Sequence, residues 1–199
     1  MATDPGTDCK LDENKIKGFK HFANKLWNIT RFILTMAEDQ KEKGTPETAI
    51  YNATFSAWSP KDLELIVERD ELIKTITKEI EELRYHLASD KIYQYVWSRF
   101  ADVILEESKI IFNGRVANAE KDIEAIEGGT QDEKASRMQF LLHTLRKILV
   151  ITHPFMPLVT EELWSIIRTE KSLSEISDED RAKINPADLL MAEKWPTSL

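Results

Sequence analysis

Apolar residues recur at three- and four-residue spacing through most of the chain, and prolines and glycines lie where this spacing breaks. The pattern predicts five helices. Their expected ranges are 13–37, 60–87, 91–112 and 133–152, with the fifth beginning at Pro157. No stretch keeps the two-residue alternation of a half-buried strand, so no substantial sheet is expected. The sequence therefore predicts an all-α bundle of about five main helices with long loops.

The segments outside these helices are polar or rich in turn residues. Residues 1–12 are expected to be a flexible lead or a domain boundary, and residues 13–199 a single helical domain. The connector 38–59 carries an aromatic cluster of Tyr51, Phe55 and Trp58, which we expect to dock onto the bundle. The last apolar group, within 189–196, is too short for a helix with its own core, so it is expected to lie back across the bundle.

The first predicted helix separates charge from apolar surface. Between Asn14 and Ala37 it carries five Lys or Arg residues and no acid, although the formal net charge of the whole chain is −8. At about 100° per residue, a set of polar residues falls on one side. This set, which we call the basic stripe, consists of Lys17, His21, Asn24, Asn28, Arg31 and Thr35. Lys20 and Lys25 flank the stripe, and an apolar face that includes Phe22 lies opposite.

Cations and amides on one helix face suit an unpaired RNA loop, because phosphates require positive charge and exposed base edges require hydrogen-bond partners. The alternative is a solvated helix face with no ligand. A second acid-free region, 134–160, contains Arg137, Arg146 and Lys147. These cations would extend an RNA-binding surface if both regions face the same way. Alternatively, Arg146 and Lys147 only favour the carboxyl end of their helix.

The sequence offers no candidate active site. Its one cysteine, Cys9, excludes an internal disulfide, and its four histidines lack the paired spacing of a metal site. There is no glycine-rich phosphate loop and no nucleophile elbow. Adjacent carboxylates such as Glu106 and Glu107 point to different helix faces, which is poor geometry for an acid–base pair. We therefore predict no catalytic residue, no metal and no cofactor in this chain.

The expected environment and partners follow from charge and hydropathy. No apolar run approaches the roughly 20 residues that span a bilayer, so we expect no membrane association and a cytoplasmic location. The acidic balance disfavours wrapping of duplex DNA, because most of the surface would repel it. Any contact with nucleic acid is therefore expected to be local.

Three motifs carry a family resemblance. They are Phe22-Ala-Asn-Lys-Leu-Trp-Asn-Ile-Thr-Arg-Phe32, Tyr93-Gln-Tyr-Val-Trp97 with Leu105-Glu-Glu-Ser-Lys109, and His153-Pro-Phe-Met-Pro-Leu-Val-Thr-Glu-Glu-Leu-Trp164. Together they resemble the anticodon-binding helical domain of class I aminoacyl-tRNA synthetases. The first motif is most similar to the valyl enzymes. The third is shared with the isoleucyl and leucyl enzymes, which stay open as alternatives.

The resemblance implies a bundle that holds the anticodon stem-loop of a tRNA, with tRNA-Val favoured. A separate catalytic domain of the same parent chain would use ATP and Mg to activate the amino acid. The ATP-site signatures of the family, His-Ile-Gly-His and Lys-Met-Ser-Lys-Ser, do not occur in this sequence. We therefore expect a non-catalytic piece of a much larger aminoacyl-tRNA ligase.

The resemblance also implies roles for residues of the first helix. Asn24 and Asn28 occupy the positions that contact anticodon bases. The cations Lys17, Lys20, Lys25 and Arg31 would neutralise loop phosphates, and His21 would stack or donate a hydrogen bond. An alternative role for Lys25 and Trp27 is to pack toward the catalytic domain. A different class of function, a helical module that binds another protein through the second helix, is also left open.

Overall fold

The structure, a computed structural model, describes residues 13–44, 58–114, 125–169 and 189–196. Its α-helices are α1 (Glu13–Glu42), α2 (Pro60–Glu81), α3 (Tyr85–Gln94), α4 (Leu105–Asn113), α5 (Gln131–Thr152) and α6 (Pro157–Thr169). A π-helical segment, Tyr95–Ile104, joins α3 to α4 without a break. With that run counted as one helix, the described residues form five main helices, and the all-α prediction is confirmed. The predicted lead, 1–12, lies outside the described residues.

α1 begins where predicted but ends five residues later, at Glu42 rather than Ala37. The extra turn has a reason in the packing. Gln40 is buried one turn beyond Met36 and Ala37, so the inward face of the helix continues past the last apolar residue. The pattern of apolar residues alone does not reveal this polar extension.

α2 begins at the predicted Ser59-Pro60 start signal. The Ser59 hydroxyl oxygen accepts a hydrogen bond from the Asp62 backbone N–H, and Pro60 occupies the first turn. The predicted end at Leu87, with the next helix starting at Lys91, is wrong. Leu83 adopts φ 61°, which ends the helix, and α3 starts at Tyr85.

α5 is the central helix of the bundle. The other five α-helices all contact it, and thirteen of its residues are buried. A helix that is covered on nearly every side belongs to the interior of a bundle. The polar residues of α5 must therefore find partners inside the protein.

Two outlying segments pack against this bundle, as predicted. Trp58 is buried and its Nε1 donates to Gln139 Oε1 at 3.0 Å. Tyr51 and Phe55, the other members of the aromatic cluster, lie outside the described residues. Near the end of the chain, the Leu190 N–H donates to Glu161 Oε1 at 2.8 Å. Trp195 Nε1 donates to Thr77 Oγ1 at 2.8 Å, so this segment spans from α6 to α2.

α4 ends at Asn113 and is capped by Gly114, as predicted from Asn113-Gly114, and the cap position requires glycine. Gly114 has φ 67°, and a Cβ atom placed there would lie 2.7 Å from the carbonyl oxygen of Ile126.

Gly114→Ala is therefore expected to lower the free energy of unfolding by about 1–3 kcal/mol, measured by urea denaturation. Gly44 is the matched control, since it also has positive φ but open space around it. Equal losses for Gly44→Ala and Gly114→Ala would contradict the role of the Ile126 contact.

Candidate nucleic-acid interface

The basic stripe lies on the solvent side of α1. All six of its residues are exposed, as is the flanking Lys20. The opposite face, with Phe22, Leu26 and Ile33, is buried in the core. Arg31 Nη2 lies 3.5 Å from Asn28 Oδ1, so these two side chains are neighbours on the surface. The stripe can meet a ligand without any rearrangement of the helix.

Lys25, on the flank of the stripe, has partners within the protein. Its Nζ donates to Asp102 Oδ1 of the π-helical segment at 2.9 Å. The same ammonium group lies 5.1 Å from the centre of the Trp97 ring, in a cation–π contact. Lys25 is therefore held in place, and it would have to leave Asp102 to bind a phosphate. Trp27 is half-buried against the core, and its predicted packing toward a catalytic domain stays open.

Aromatic rings reinforce this flank of α1. The Tyr93 and Trp97 rings are stacked with centroids 5.5 Å apart, and the Tyr93 ring lies 5.2 Å from that of Phe22. Lys25 contacts both Trp97 and Asp102, which are five residues apart. In a π-helix each N–H bonds five residues back, so such a pair faces the same way. Sequence reasoning missed Trp97 and Asp102 as neighbours of the stripe, because in an α-helix they would point apart.

The prediction that Arg137 contacts RNA is wrong. Arg137 is 1% exposed, and its Nε lies 2.6 Å from Asp62 Oδ1. Its Nη1 donates to Ser108 Oγ at 3.3 Å. The guanidinium neutralises a buried carboxylate and joins α5 to α2 and α4, so it is unavailable to a ligand in solution.

Arg146 and Lys147 are only partly buried. Burial, together with the nearby cation of Arg69, lowers the pKa of Lys147. This places Lys147 beside α2, whereas Lys25 on the flank of the stripe faces the π-helical segment. A continuous groove between the two basic regions stays a prediction.

Arg69 organises a buried polar cluster next to Lys147. Its Nε donates to Asp70 Oδ1 at 2.8 Å, and its Nη1 donates to Thr144 Oγ1 at 3.1 Å. Nη1 also lies 3.0 Å from His143 Nδ1. Because a guanidinium can only donate, His143 Nδ1 must accept, which requires the neutral imidazole. Burial, and then the charge of Arg69, lower the pKa of His143 to about 4.

This depressed pKa predicts a loss of stability in mild acid. A histidine whose pKa is about 6.5 when unfolded and about 4 when folded stabilises the protein fully above pH 6.5. That contribution declines as the pH falls from 6.5 toward 4, because the unfolded chain binds the proton first. We expect the free energy of unfolding to fall over this range and to fall less steeply in His143→Gln, whose amide oxygen can still accept from Arg69. Identical pH profiles for the two proteins, measured by urea denaturation, would refute the assignment.

Within the described ranges, no group of three or more His, Cys, Asp or Glu side chains could hold a metal ion. The same part of the chain contains no helix long and apolar enough to cross a bilayer.

The family model that matches this chain and the relatives that match it all belong to the tRNA ligases. A family model described as the anticodon-binding domain of tRNA ligase matches residues 62–199. Valine--tRNA ligase of Aquifex aeolicus (strain VF5) is 34% identical over 197 residues, covering 92% of this chain and 16% of that protein. Valine--tRNA ligase of Rhizobium meliloti (strain 1021) is 33% identical over 159 residues, covering 80% and 14%. The corresponding protein of Pelagibacter ubique (strain HTCC1062) is 30% identical over 195 residues, covering 97% and 18%. The chain thus spans about one sixth of the length of these relatives.

Proposed function

Because this chain belongs to the anticodon-binding domain family of tRNA ligases, we propose that it binds the anticodon stem-loop of tRNA-Val as one domain of a valine--tRNA ligase. The choice of valine rests on the names of the matched relatives, together with the similarity of the first motif to the valyl enzymes. The isoleucyl and leucyl enzymes are the alternatives within the family. The parent protein would supply the catalytic domain and use ATP and Mg in the cytoplasm, and this domain would contribute recognition only.

The observation that carries the proposal is the exposed basic stripe on a chain of net charge −8. Lys17, Lys20 and Arg31 offer positive charge where most of the protein would repel a phosphate backbone. Such a surface favours one local contact with RNA over wrapping of a long duplex.

Asn24 and Asn28 supply the groups that can distinguish bases. They are exposed, and at four residues' separation they lie about 6 Å apart along the helix axis. Each amide can donate and accept, so each can pair with the edge of an unstacked base. Two such amides match two successive bases that are splayed out of a loop. Lys25 joins this surface if a phosphate draws its ammonium away from Asp102.

A gel-shift titration tests the proposal. The 199-residue chain is titrated with tRNA-Val and with the same tRNA carrying a different anticodon. We expect the anticodon change to weaken binding by about tenfold or more, since each lost base contact costs about 1–3 kcal/mol. Equal affinity for both tRNAs would defeat the claim that this domain reads bases. Tighter binding of an isoleucine or leucine tRNA would favour the alternative enzymes.

Glu79 is not available to the partner helix of the alternative protein-interaction module. That alternative depends on the side of the second predicted helix from Glu79 to Glu82, of which Glu81 and Glu82 are exposed. Glu79 is instead largely buried, and it accepts a hydrogen bond from Arg84 Nε at 2.5 Å. This contact lowers the pKa of Glu79. The carboxylate serves the junction between α2 and α3 rather than a partner helix.

A further inference from the structure

An apolar pocket of about 260 Å³ lies where α1, α3 and the turn between α5 and α6 meet. Its apolar walls are Phe19 and Phe22 of α1, Ile92 of α3, and Phe155 and Met156 of the turn. The space is large enough for one aromatic side chain, and three of these walls are aromatic rings. Rings prefer offset or edge-to-face neighbours, so the pocket suits another ring.

One wall of the pocket carries a hydroxyl that lacks a partner. Thr152 lines the pocket and is 1% exposed. Within the described part of the chain, its Oγ1 makes no hydrogen bond. Ser89, the other polar lining residue, is already satisfied, since its Oγ donates to the His86 carbonyl oxygen at 2.9 Å. An incoming group that bonds Thr152 would remove the penalty of an unpaired buried hydroxyl.

Two large exposed residues are close in sequence to residues that line the pocket. Tyr85, one turn before Ser89 on the same face of α3, is 46% exposed. Leu158, two residues beyond Met156, is 88% exposed. Exposed large apolar side chains near an apolar pocket are typical of a surface that another polypeptide covers.

We propose that this pocket receives an aromatic side chain with a hydrogen-bonding group, Tyr or Trp, from the part of the longer protein that lies outside these 199 residues. The matched relatives are about six times longer than the matched region, so most of their polypeptide is available to cover this surface. Phe19 lies about 160° around α1 from Lys17, on the other side of the helix from the basic stripe. The pocket can therefore be filled while the stripe holds RNA, and the inference is independent of RNA binding.

Side-chain analogues test the chemistry of the pocket. The 199-residue chain, labelled with ¹³C at the methionine methyl groups, is titrated with p-cresol and with toluene, which lacks the hydroxyl. We expect both to shift the Met156 signal and p-cresol to bind about three- to tenfold more tightly. In Thr152→Val, which keeps the side-chain shape, that preference should disappear. The proposal is overturned if millimolar p-cresol leaves Met156 unmoved, or if the preference is absent in the original chain.

Methionine oxidation tests the occupant. Met156 should react with peroxide in the 199-residue chain, and its oxidation should slow at least tenfold in the longer protein, as read by mass spectrometry. Met191, which is 71% exposed, reports the general reactivity of an open methionine, and the buried Met138 reports unfolding. An unchanged Met156 rate in the longer protein would overturn the proposal, whatever the analogues do. Failure of the tRNA titration would leave both of these results as they are.

Discussion

Replacing Lys17, Lys20 and Arg31 together with alanine is expected to weaken tRNA binding by about ten- to 100-fold at 0.1 M salt, with little change in stability. All three side chains are exposed on α1. Each phosphate contact to single-stranded RNA adds about 0.7 to the slope of log affinity against log salt concentration. Loss of three contacts should therefore reduce that slope by about 2. The measurement is a filter-binding or gel-shift titration at several salt concentrations.

A matched control separates a local contact from a change in net charge. Replacing Lys61, Lys74 and Lys78 with alanine removes the same charge from the exposed side of α2. We expect this variant to bind tRNA within about twofold of the original chain, because long-range attraction is screened beyond about 10 Å at this salt concentration. Equal losses for the two variants would show that charge alone attracts the RNA and that α1 is no specific surface.

Asp62→Ala is expected to cost the largest amount of stability, about 3–5 kcal/mol. The Asp62 carboxylate is 2% exposed and pairs with Arg137 at 2.6 Å. It also accepts hydrogen bonds from Ser136 Oγ at 2.6 Å and Ser59 Oγ at 2.8 Å. Its removal leaves the Arg137 guanidinium buried without a counter-charge and takes a partner from each hydroxyl. Urea denaturation at neutral pH measures the loss.

Two further variants test whether that loss of stability comes from the unpaired buried charge. Lys61→Ala, at the adjacent position, breaks an exposed pair with Glu107 and should cost under about 1 kcal/mol. The double variant Asp62→Leu with Arg137→Met removes both buried charges, and it should be more stable than Asp62→Ala. If Asp62→Ala does not fold, the double variant still tests the argument. A double variant that is equally unfolded would show that packing, rather than the unpaired charge, dominates at this site.

Helix starts and stops could be predicted where a single residue type decides them. Ser59-Pro60, Pro157 and Asn113-Gly114 set boundaries through local backbone chemistry, and the structure has them within a residue or two of the expected positions. The end of α2 shows the limit of this reasoning. Leu83 and Leu87 continue the apolar spacing, but Leu83 turns the chain and both side chains are exposed.

The π-helical segment carried a signal that an α-helical interpretation overlooks. The buried pairs Tyr95 with Phe100, and Val96 with Ala101, are spaced by five residues, although Val96, Phe100 and Ile104 also keep the four-residue spacing of an α-helix. A five-residue spacing of buried positions is what a π-helix produces. The same geometry brings Asp102 toward Lys25, so the missed contact and the missed helix type have one cause.

The residues of the candidate site also divide into those whose placement the sequence predicts and those whose placement it does not. Exposure of the basic stripe depends on the periodicity of a single helix, and the sequence contains that information in full. The fate of Arg137 depends on Asp62, which lies 75 positions earlier and on another helix. No local pattern distinguishes a solvated arginine from one that neutralises a buried carboxylate, so this error could be found only in three dimensions.

The turn at Leu83, between α2 and α3, is a position where a mutation can increase the stability of the domain. A left-handed conformation costs a residue with a side chain about 1–2 kcal/mol, and glycine or asparagine adopts it more easily. The Leu83 side chain is 61% exposed, so it recovers little of that cost by burial. Natural proteins commonly retain residues whose replacement would increase stability, because selection maintains adequate rather than maximal stability. This turn is where a more heat-resistant version of the domain can be sought without altering either α1 or the core.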